Sequence, residues 1–548
     1  MVSKFIKNGS NLLMKTQKTI LSAAFVIAFT YGLSAILSLV RSRLLAGFFG
    51  TGDELAVFYT ADKIPSFVYS LLVVGTISTV FIPVFTNLLK HDKKAAWRTA
   101  SAMISISVLV FVVLGVLVYI FAPNLIRLLS VWRFDEEQVL LGTRLMRLMI
   151  SAQLILIISS FVTSLLQSFK YFVLPALAPV VYNLGMIGGI LFLTPQFGIF
   201  GPAYGVLIGA VLHLLVQLPL LKRIEFKYKF ALNLSDKGIR EIISLVPPRI
   251  FGSALVQVSS IVNNSIAILV STSSVVVFRF ADQLQSFPVN LFGASMALAA
   301  LPTLSFEADE QDKEKFKKTF LTSFHQMLFL AIPASVILLV LRVPLVRLVF
   351  GAANFPWEAT VSTAYVLAFF SFSIFAQSSV YLLTRAFFAL KDTATPVKVN
   401  FFTILLSTGL SLFFINVLGW GVWAVAFSYS IAAILDALVL LLILNKKVGG
   451  FGAGKLITPF TKISYSAVLM GISLYAPLKL LDQLVFDTTR TVPLILLTGI
   501  AGLAGTVSYL FFTLLFKVEE IELFYRLIRK LNITKKTVVS NIPEAITE

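Results

Sequence analysis

The sequence predicts an all-α polytopic membrane protein of about fourteen transmembrane helices, built as two parallel six-helix lobes plus two C-terminal helices. Three observations carry this expectation. Of the 548 residues, 58% are hydrophobic and 13% charged, with a mean hydropathy of +0.92; soluble domains carry about 25% charged residues. Apolar stretches as long as the roughly 20 residues that cross a bilayer follow one another along the whole chain. A mixed polar and apolar segment in the second stretch returns in the eighth.

The first stretch, 19–46, follows Lys4, Lys7, Lys15 and Lys18 as a signal peptide would. Its apolar run exceeds the roughly 7–15 residues of a signal's core, so it reads as an uncleaved span. The stretches 55–87, 97–122, 138–168, 174–194 and 201–221 complete the first six. Six more follow at 241–271, 275–306, 320–341, 357–389, 397–418 and 420–445, and the series ends with 457–478 and 491–516. With the N-terminus in the cytoplasm, the inner connections collect Lys90, Lys93, Lys94, Arg98, Lys170, Lys222, Arg223, Lys227, Lys229, Lys237 and Arg240 in the first half. Lys313, Lys315, Lys317, Lys318, Lys391, Lys398, Lys446, Lys447 and Lys455 join them in the second, with six more cations between Lys517 and Lys536. The outer side receives Arg127, Arg133, Arg342, Arg347, Lys479 and Arg490. The positive-inside rule turns this asymmetry into an orientation with both termini cytoplasmic.

The returning segment is Val57–Phe67, which lies on Val277–Phe287 with six of eleven residues identical at an offset of 220. Lys170 and Pro175 match Lys391 and Pro396 at an offset of 221. Six spans is an even number, so the copies share one orientation; transporters built from such parallel repeats bind substrate between the halves. The chain divides accordingly into a tail at 1–18, an N-lobe at 19–224, a C-lobe at 225–446, a helix pair at 447–517 and a tail at 518–548.

Composition also excludes functions. Fourteen spans leave about 240 residues for loops and tails, too few for a large water-soluble catalytic domain, so an enzyme is not expected. The chain has no cysteine, which excludes disulfides, thiolate metal sites and cysteine nucleophiles. His91, His213 and His325 are too dispersed for a metal centre. The formal charge of +19 is accounted for by topology and anionic headgroups rather than by nucleic acid. No G-x-x-x-x-G-K-[ST] loop is present, so no nucleotide cofactor is expected; the membrane potential or a monovalent cation remains as the energy source.

Ionisable groups facing hydrocarbon cost at least about 2.5–3.5 kcal/mol on insertion scales, so those within spans usually face a cavity or a partner. Arg41 and Arg43, Asp62 and Lys63, Arg144 and Arg147, Arg249, Arg279 and Asp282, and Arg385 are of this kind. Cations dominate, and a guanidinium fork suits phosphate oxygens. Arg41, Arg43, Lys63, Arg249, Arg279 and Arg385 are therefore the candidate binding residues for an anionic group. Asp62 and Asp282, mates in the repeat, are candidates for balancing that charge or sensing an ion. The competing structural reading has Arg41, Arg144 and Arg385 snorkelling to headgroups from span ends and Asp282 pairing with Arg279 one turn away.

The stretch Arg41-Ser42-Arg43-Leu44-Leu45-Ala46-Gly47-Phe48-Phe49-Gly50, with Ile64-Pro65 and Phe81-Ile82-Pro83, resembles the start of the MurJ/MviN lipid II flippase family of the MOP transporter superfamily. Pro248-Arg249 with Gln257, Phe280-Ala281-Asp282 through Phe287-Pro288 to Leu301–Ser305, and Arg385–Thr393 ending in Thr395-Pro396-Val397-Lys398 extend the likeness into the second half. The resemblance implies a fourteen-helix transporter that moves a polyprenyl-pyrophosphate-linked peptidoglycan precursor to the outer leaflet. It also implies a basic cavity for the pyrophosphate, membrane lipids and the lipid-linked sugar as ligands, and other cell-wall synthesis proteins as partners. The chain departs from the family pattern at Ser42, Ala56, Ser66, Tyr69-Ser70, Val74-Gly75 and Gln283 and keeps Arg41 and Asp282. An exporter of another lipid-linked oligosaccharide and a non-transporting scaffold of the same fold are the alternatives.

Overall fold

The computed structural model describes residues 20–73, 80–233, 236–310, 312–484 and 490–522, the side chains of 20–28, 237, 245–249, 251 and 253 apart. The tail at 1–18, the tail at 518–548 from residue 523 on, and the Arg249 side chain lie outside the described residues. Among the described residues every regular element is helical. Eleven helices are long and apolar enough to cross a membrane, and a twelfth crossing is the pair Trp357–Ser371 and Ile374–Ala389, bent by 47°. The expected spans 55–87 and 241–271 are helical where described, as Asp53–Ala61, Lys63–Leu72 and Ile82–His91 in one and Lys237–Val270 in the other. Each includes residues outside the description, so the described crossings number eleven to twelve rather than fourteen.

The chain forms two compact units. Unit 1 comprises Met1–Phe280, Val349–Thr360 and Leu412–Val425; unit 2 comprises Ala281–Leu348, Val361–Ser411 and Ala426–Glu548. Helix Lys237–Val270, which the repeat assigns to the second half, packs within unit 1 against Lys63–Leu72 and Lys93–Leu129.

The repeat recurs in the helix punctuation. Asp92 accepts the amides of Lys94 and Ala95 and so caps Lys93–Leu129, and 220 residues on Asp312 accepts the amide of Lys315 and caps Lys313–Val340. An aspartate at this position satisfies amides that have no partner inside the helix. Helix Glu136–Ser168 ends at Lys170 with φ of 62°, and Ile374–Ala389 ends at Lys391 with φ of 61°. Both ends close the same way. Lys170 N–H donates to the Gln167 carbonyl and Tyr171 N–H to Leu166, while Lys391 N–H donates to Phe388 and Asp392 N–H to Phe387. This is the left-handed Schellman termination, here made by lysine although glycine enters that conformation more readily.

After the second of these ends, Asp392 ties three segments of unit 2 together. Its carboxylate accepts the amide (3.0 Å) and hydroxyl (2.7 Å) of Thr395 and pairs with the Lys447 ammonium, and Lys391 beside it pairs with Asp309 at 3.0 Å. Partial burial pushes the Asp392 pKa up, but the Lys447 ammonium and the two Thr395 donors outweigh it and bring the pKa down to about 2. A depressed carboxylate pKa contributes stability above the unfolded value near 4, lost as the pH falls toward the folded value. Thermal unfolding followed from pH 6 to pH 2 is therefore expected to show a loss between about pH 4 and pH 2 that Asp392→Asn removes.

The fifth and sixth stretches meet backbone to backbone. A Cβ added at Gly185 would lie 2.6 Å from the Gly209 Cα, and one at Gly189 would lie 2.4 Å from the Gly205 Cα. The glycines are spaced by four on both helices, Val173–Gly188 with its π-turn Gly189–Leu193 and Phe200–Leu215. Stacked every fourth residue, they form the small-residue face that lets membrane helices approach closely.

Candidate functional site

In unit 1 the polar groups gather around Arg41, near the C-terminal end of helix Ile20–Phe49. Its Nη1 donates to Asn183 Oδ1 at 3.0 Å and approaches Met186 Sδ at 3.2 Å, and its Nη2 donates to Ser38 Oγ at 3.2 Å. Asn183, on Val173–Gly188, is itself fixed by donating to Ser34 Oγ at 3.0 Å and to the Pro179 carbonyl at 3.0 Å. The guanidinium is thus aimed by a neutral amide rather than neutralised by a carboxylate. Three of its five N–H donors are engaged, which leaves two for a ligand. Arg43 is half-buried on the same helix, but two residues turn it about 200° away from Arg41.

Asp62 and Lys63 sit at the junction of Asp53–Ala61 and Lys63–Leu72, where Pro65 two residues later cannot donate to the helix ladder. Asp62 Oδ2 accepts from Ser66 Oγ at 2.9 Å, and Lys63 Nζ donates to Ser260 Oγ at 2.9 Å. Two further bonds run along the same pair of segments: Asn264 Nδ2 to Thr60 Oγ1 at 3.1 Å and Gln257 Nε2 to Ser70 Oγ at 3.2 Å. Gln257, Ser260 and Asn264 share one face of Lys237–Val270, so a polar seam fastens that helix to the second stretch. Tyr59, one turn before Lys63, lies within electrostatic reach of Arg279, Arg41 and Asp62. The exposed Arg279 places its guanidinium carbon 6.0 Å from the Tyr59 ring centroid, at the limit of a cation–π contact. The structure therefore brings Arg41, Asp62 and Arg279 around one tyrosine and ties Lys63 to the seam.

In unit 2, Asp282 Oδ1 accepts from Gln285 Nε2 at 3.0 Å, and a chain continues from Gln285 Oε1 to Gln377 Nε2 at 2.9 Å and on to Ser373 Oγ at 2.9 Å. Ser430 Oγ joins at Ser373 (2.8 Å) and at the Phe369 carbonyl (2.8 Å). Phe372 and Ser373 are the two residues between the halves of the bent pair. The kink has an identifiable cause, since side-chain hydroxyls occupy backbone positions of the helix ladder there. Arg385, half-buried, lies with its guanidinium carbon 5.5 Å from the Phe388 ring centroid, and both Arg385 and Asp282 lie within electrostatic reach of Tyr381. The two repeat-mate aspartates thus stand in different units, each bonded to a neutral residue three or four positions ahead.

The remaining ionisable residues have other roles. Arg147 donates through Nε to the Tyr119 carbonyl at 3.1 Å and lies 4.5 Å over the Tyr119 ring, and Arg144 is exposed. His213 Nδ1 is 2.7 Å from Ser159 Oγ, and His325 is 3.6 Å from Glu520. Asp436, not anticipated from the sequence, is buried in Trp423–Lys447 with an Oδ1 that no hydrogen bond among the described residues reaches. The neutral partners Ser34, Ser38, Asn183, Ser260, Asn264, Gln285, Ser373 and Gln377 were also missed. Their signal was available in polar residues recurring every three or four positions inside apolar stretches, as in Gln257, Ser260 and Asn264 or Ser34, Ser38 and Arg41.

Membrane-length helices repeated at an offset of about 220 residues, with oriented cations and amides within them, define a multi-pass membrane protein of the duplicated transporter class. Comparison with known proteins specifies the class further. The family model described as "Lipid II flippase MurJ" matches residues 45–493, and the chain belongs to that family. A relative from Bdellovibrio bacteriovorus, named a probable lipid II flippase MurJ, is 29% identical over 85% of this chain and 89% of its own length. A lipid II flippase MurJ from Burkholderia cenocepacia is 26% identical over 76% of this chain and 82% of its own. Among solved structures, a lipid II flippase MurJ in an inward closed conformation superposes with a TM-score of 0.76 at 24% identity, over 91% of this chain and all of that one. An inward-facing multidrug resistance MATE family transporter of the MOP superfamily superposes with a TM-score of 0.65 at 17% identity, over 76% of this chain and 95% of that one. Both likenesses are of fold.

Proposed function

We propose that this protein is a flippase that moves lipid II, a polyprenyl-pyrophosphate-linked peptidoglycan precursor, across the bacterial cytoplasmic membrane by alternating access between two six-helix lobes, with both termini cytoplasmic. It makes and breaks no covalent bond. Membership of the lipid II flippase family, together with an Arg41 guanidinium aimed by Asn183 and, among the described residues, without a carboxylate bond, is the observation that carries the reading. Arg41 and Arg279 hold the pyrophosphate, whose oxygens accept the charge-assisted bonds that arginine presents in pairs. Asp62 and Asp282 balance the field or respond to a cation. One elementary charge crossing 100 mV is worth about 2.3 kcal/mol, enough to bias two access states about fiftyfold, so the membrane potential or a monovalent cation suffices to drive the cycle. Other cell-wall synthesis proteins are its partners.

The test is rescue of a bacterium depleted of its own lipid II flippase, with the leaflet accessibility of the precursor as readout. Growth and outer-leaflet precursor are expected to return together. Failure of both, from a protein present in the membrane at normal abundance, would remove the reading. The substitutions at Ser42, Ser66 and Gln283 favour examining a second substrate, another lipid-linked oligosaccharide. Its accumulation on depletion of this protein, with lipid II distribution unchanged, would select that alternative.

A further inference from the structure

Between helix Leu218–Arg223 and helix Lys237–Val270 the chain runs without regular structure through residues 226–233, and this strap is pinned to helix Lys93–Leu129. The amides of Lys229 and Ala231 donate to Ser101 Oγ (3.4 Å) and Ser105 Oγ (3.3 Å), and the Tyr228 hydroxyl lies 2.8 Å from Ser105 Oγ. Phe226 packs on Trp97 at 5.0 Å between ring centroids, and Asp236 accepts from Thr99 Oγ1 at 2.8 Å while capping the next helix. Lys93–Leu129 has 37 residues, about 55 Å of helix against a hydrocarbon core of about 30 Å. The helix outlasts that core by about 25 Å, so in the orientation with a cytoplasmic N-terminus its first three or four turns, where the strap is bound, reach the inner headgroup layer.

The strap's outward groups alternate in kind. Phe230 is 71% exposed, and Tyr228 and Leu232 are exposed about half as a fraction of their surface. Lys227 and Lys229 between them are exposed too, with Lys222 just before. The one carboxylate of the strap's start, Glu225, pairs with Lys93 at 3.5 Å, and Asp236 at its end is occupied by Thr99 and helix amides. Aromatic and aliphatic side chains at the interface, interleaved with cations and free of competing anions, match the inner leaflet of a bacterial membrane in both polarity and sign.

We propose that residues 226–233 form a binding surface for anionic phospholipid headgroups, with Lys227 and Lys229 on the phosphates and Phe230 and Leu232 entering the acyl boundary. The inference rests on the inward facing of this connection and is independent of which substrate the protein carries. Because the native chain has no cysteine, Phe230→Cys gives one site for a polarity-sensitive fluorescent thiol label on the full-length protein in nanodiscs. With phosphatidylglycerol present, quenching by lipids carrying a headgroup-level nitroxide is expected, together with protection from aqueous acrylamide. Lys227→Gln with Lys229→Gln is expected to lower the inserted-to-aqueous ratio by about a factor of five per lysine, about twenty-five in all. A label open to acrylamide in every lipid overturns the proposal. So does nitroxide quenching that is the same in phosphatidylcholine alone and insensitive to the two glutamines. Melting of the labelled protein at the unlabelled temperature excludes misfolding as the source of either result.

Discussion

Arg41→Ala is expected to weaken binding of a pyrophosphate-bearing polyprenyl lipid to the purified protein by about ten- to a hundredfold, the loss of hydrogen bonds to a charged group worth roughly 1.5–3 kcal/mol. The geometry separates this residue from its neighbours in sequence and in charge. Asn183, Met186 and Ser38 restrain the guanidinium at three points, so little rotamer freedom remains to be lost on binding. Arg144, exposed on Glu136–Ser168 and not among the partners of Arg41, provides the comparison: Arg144→Ala is expected to leave affinity within about twofold, the effect of a screened charge. Asn183→Ala is expected to fall between the two, since it removes the aim and keeps the charge. Titration of lipid into the detergent-solubilised protein measures all three, and equal affinities for the wild type and Arg41→Ala would dissolve the anion site.

Adjacent glycines are expected to respond in opposite directions to the same methyl group. At Gly189 a Cβ would meet the Gly205 Cα at 2.4 Å, so Gly189→Ala must push two helices apart. The expected cost is about 1–3 kcal/mol, that of overpacking a close contact. At Gly188 a Cβ would meet nothing within 4 Å, and Gly188→Ala is expected to stabilise by about 0.5–1 kcal/mol because alanine loses less backbone freedom in a helix. Apparent melting temperatures of the two variants in one detergent decide the matter. Variants that melt together would mean that the glycine seam is not what sets the approach of the two helices.

Much of the fold was legible because a bilayer writes its demands directly into hydropathy: where backbone groups cannot reach water, helices are forced. The stretches 97–122, 138–168 and 320–341 became helices Lys93–Leu129, Glu136–Ser168 and Lys313–Val340, longer than expected because their polar ends continue past the apolar run. The repeat was legible in Asp62 and Asp282 and in Lys170 and Lys391, and the lysines proved to be matched helix terminators. The interruption of the second stretch at Asp62 and the 47° bend at Ser373 were not anticipated. Hydropathy averages over some twenty positions and cannot see one hydroxyl bonded to a carbonyl. The candidate site was legible in its cations but not in what orients them. Ionisable residues stand out in an apolar background, whereas Asn183 or Ser260 differs little from the serines and asparagines found wherever membrane helices touch.

The joint between the second stretch and helix Lys237–Val270 is secured by Thr60–Asn264, Lys63–Ser260 and Ser70–Gln257. The two neutral fasteners are worth about 1 kcal/mol net each and the Lys63 bond about 1.5–3 kcal/mol, and water can take either side of each when the surfaces separate. A zip of this kind parts at modest cost and recloses in the same register, because only one alignment restores all three teeth at once.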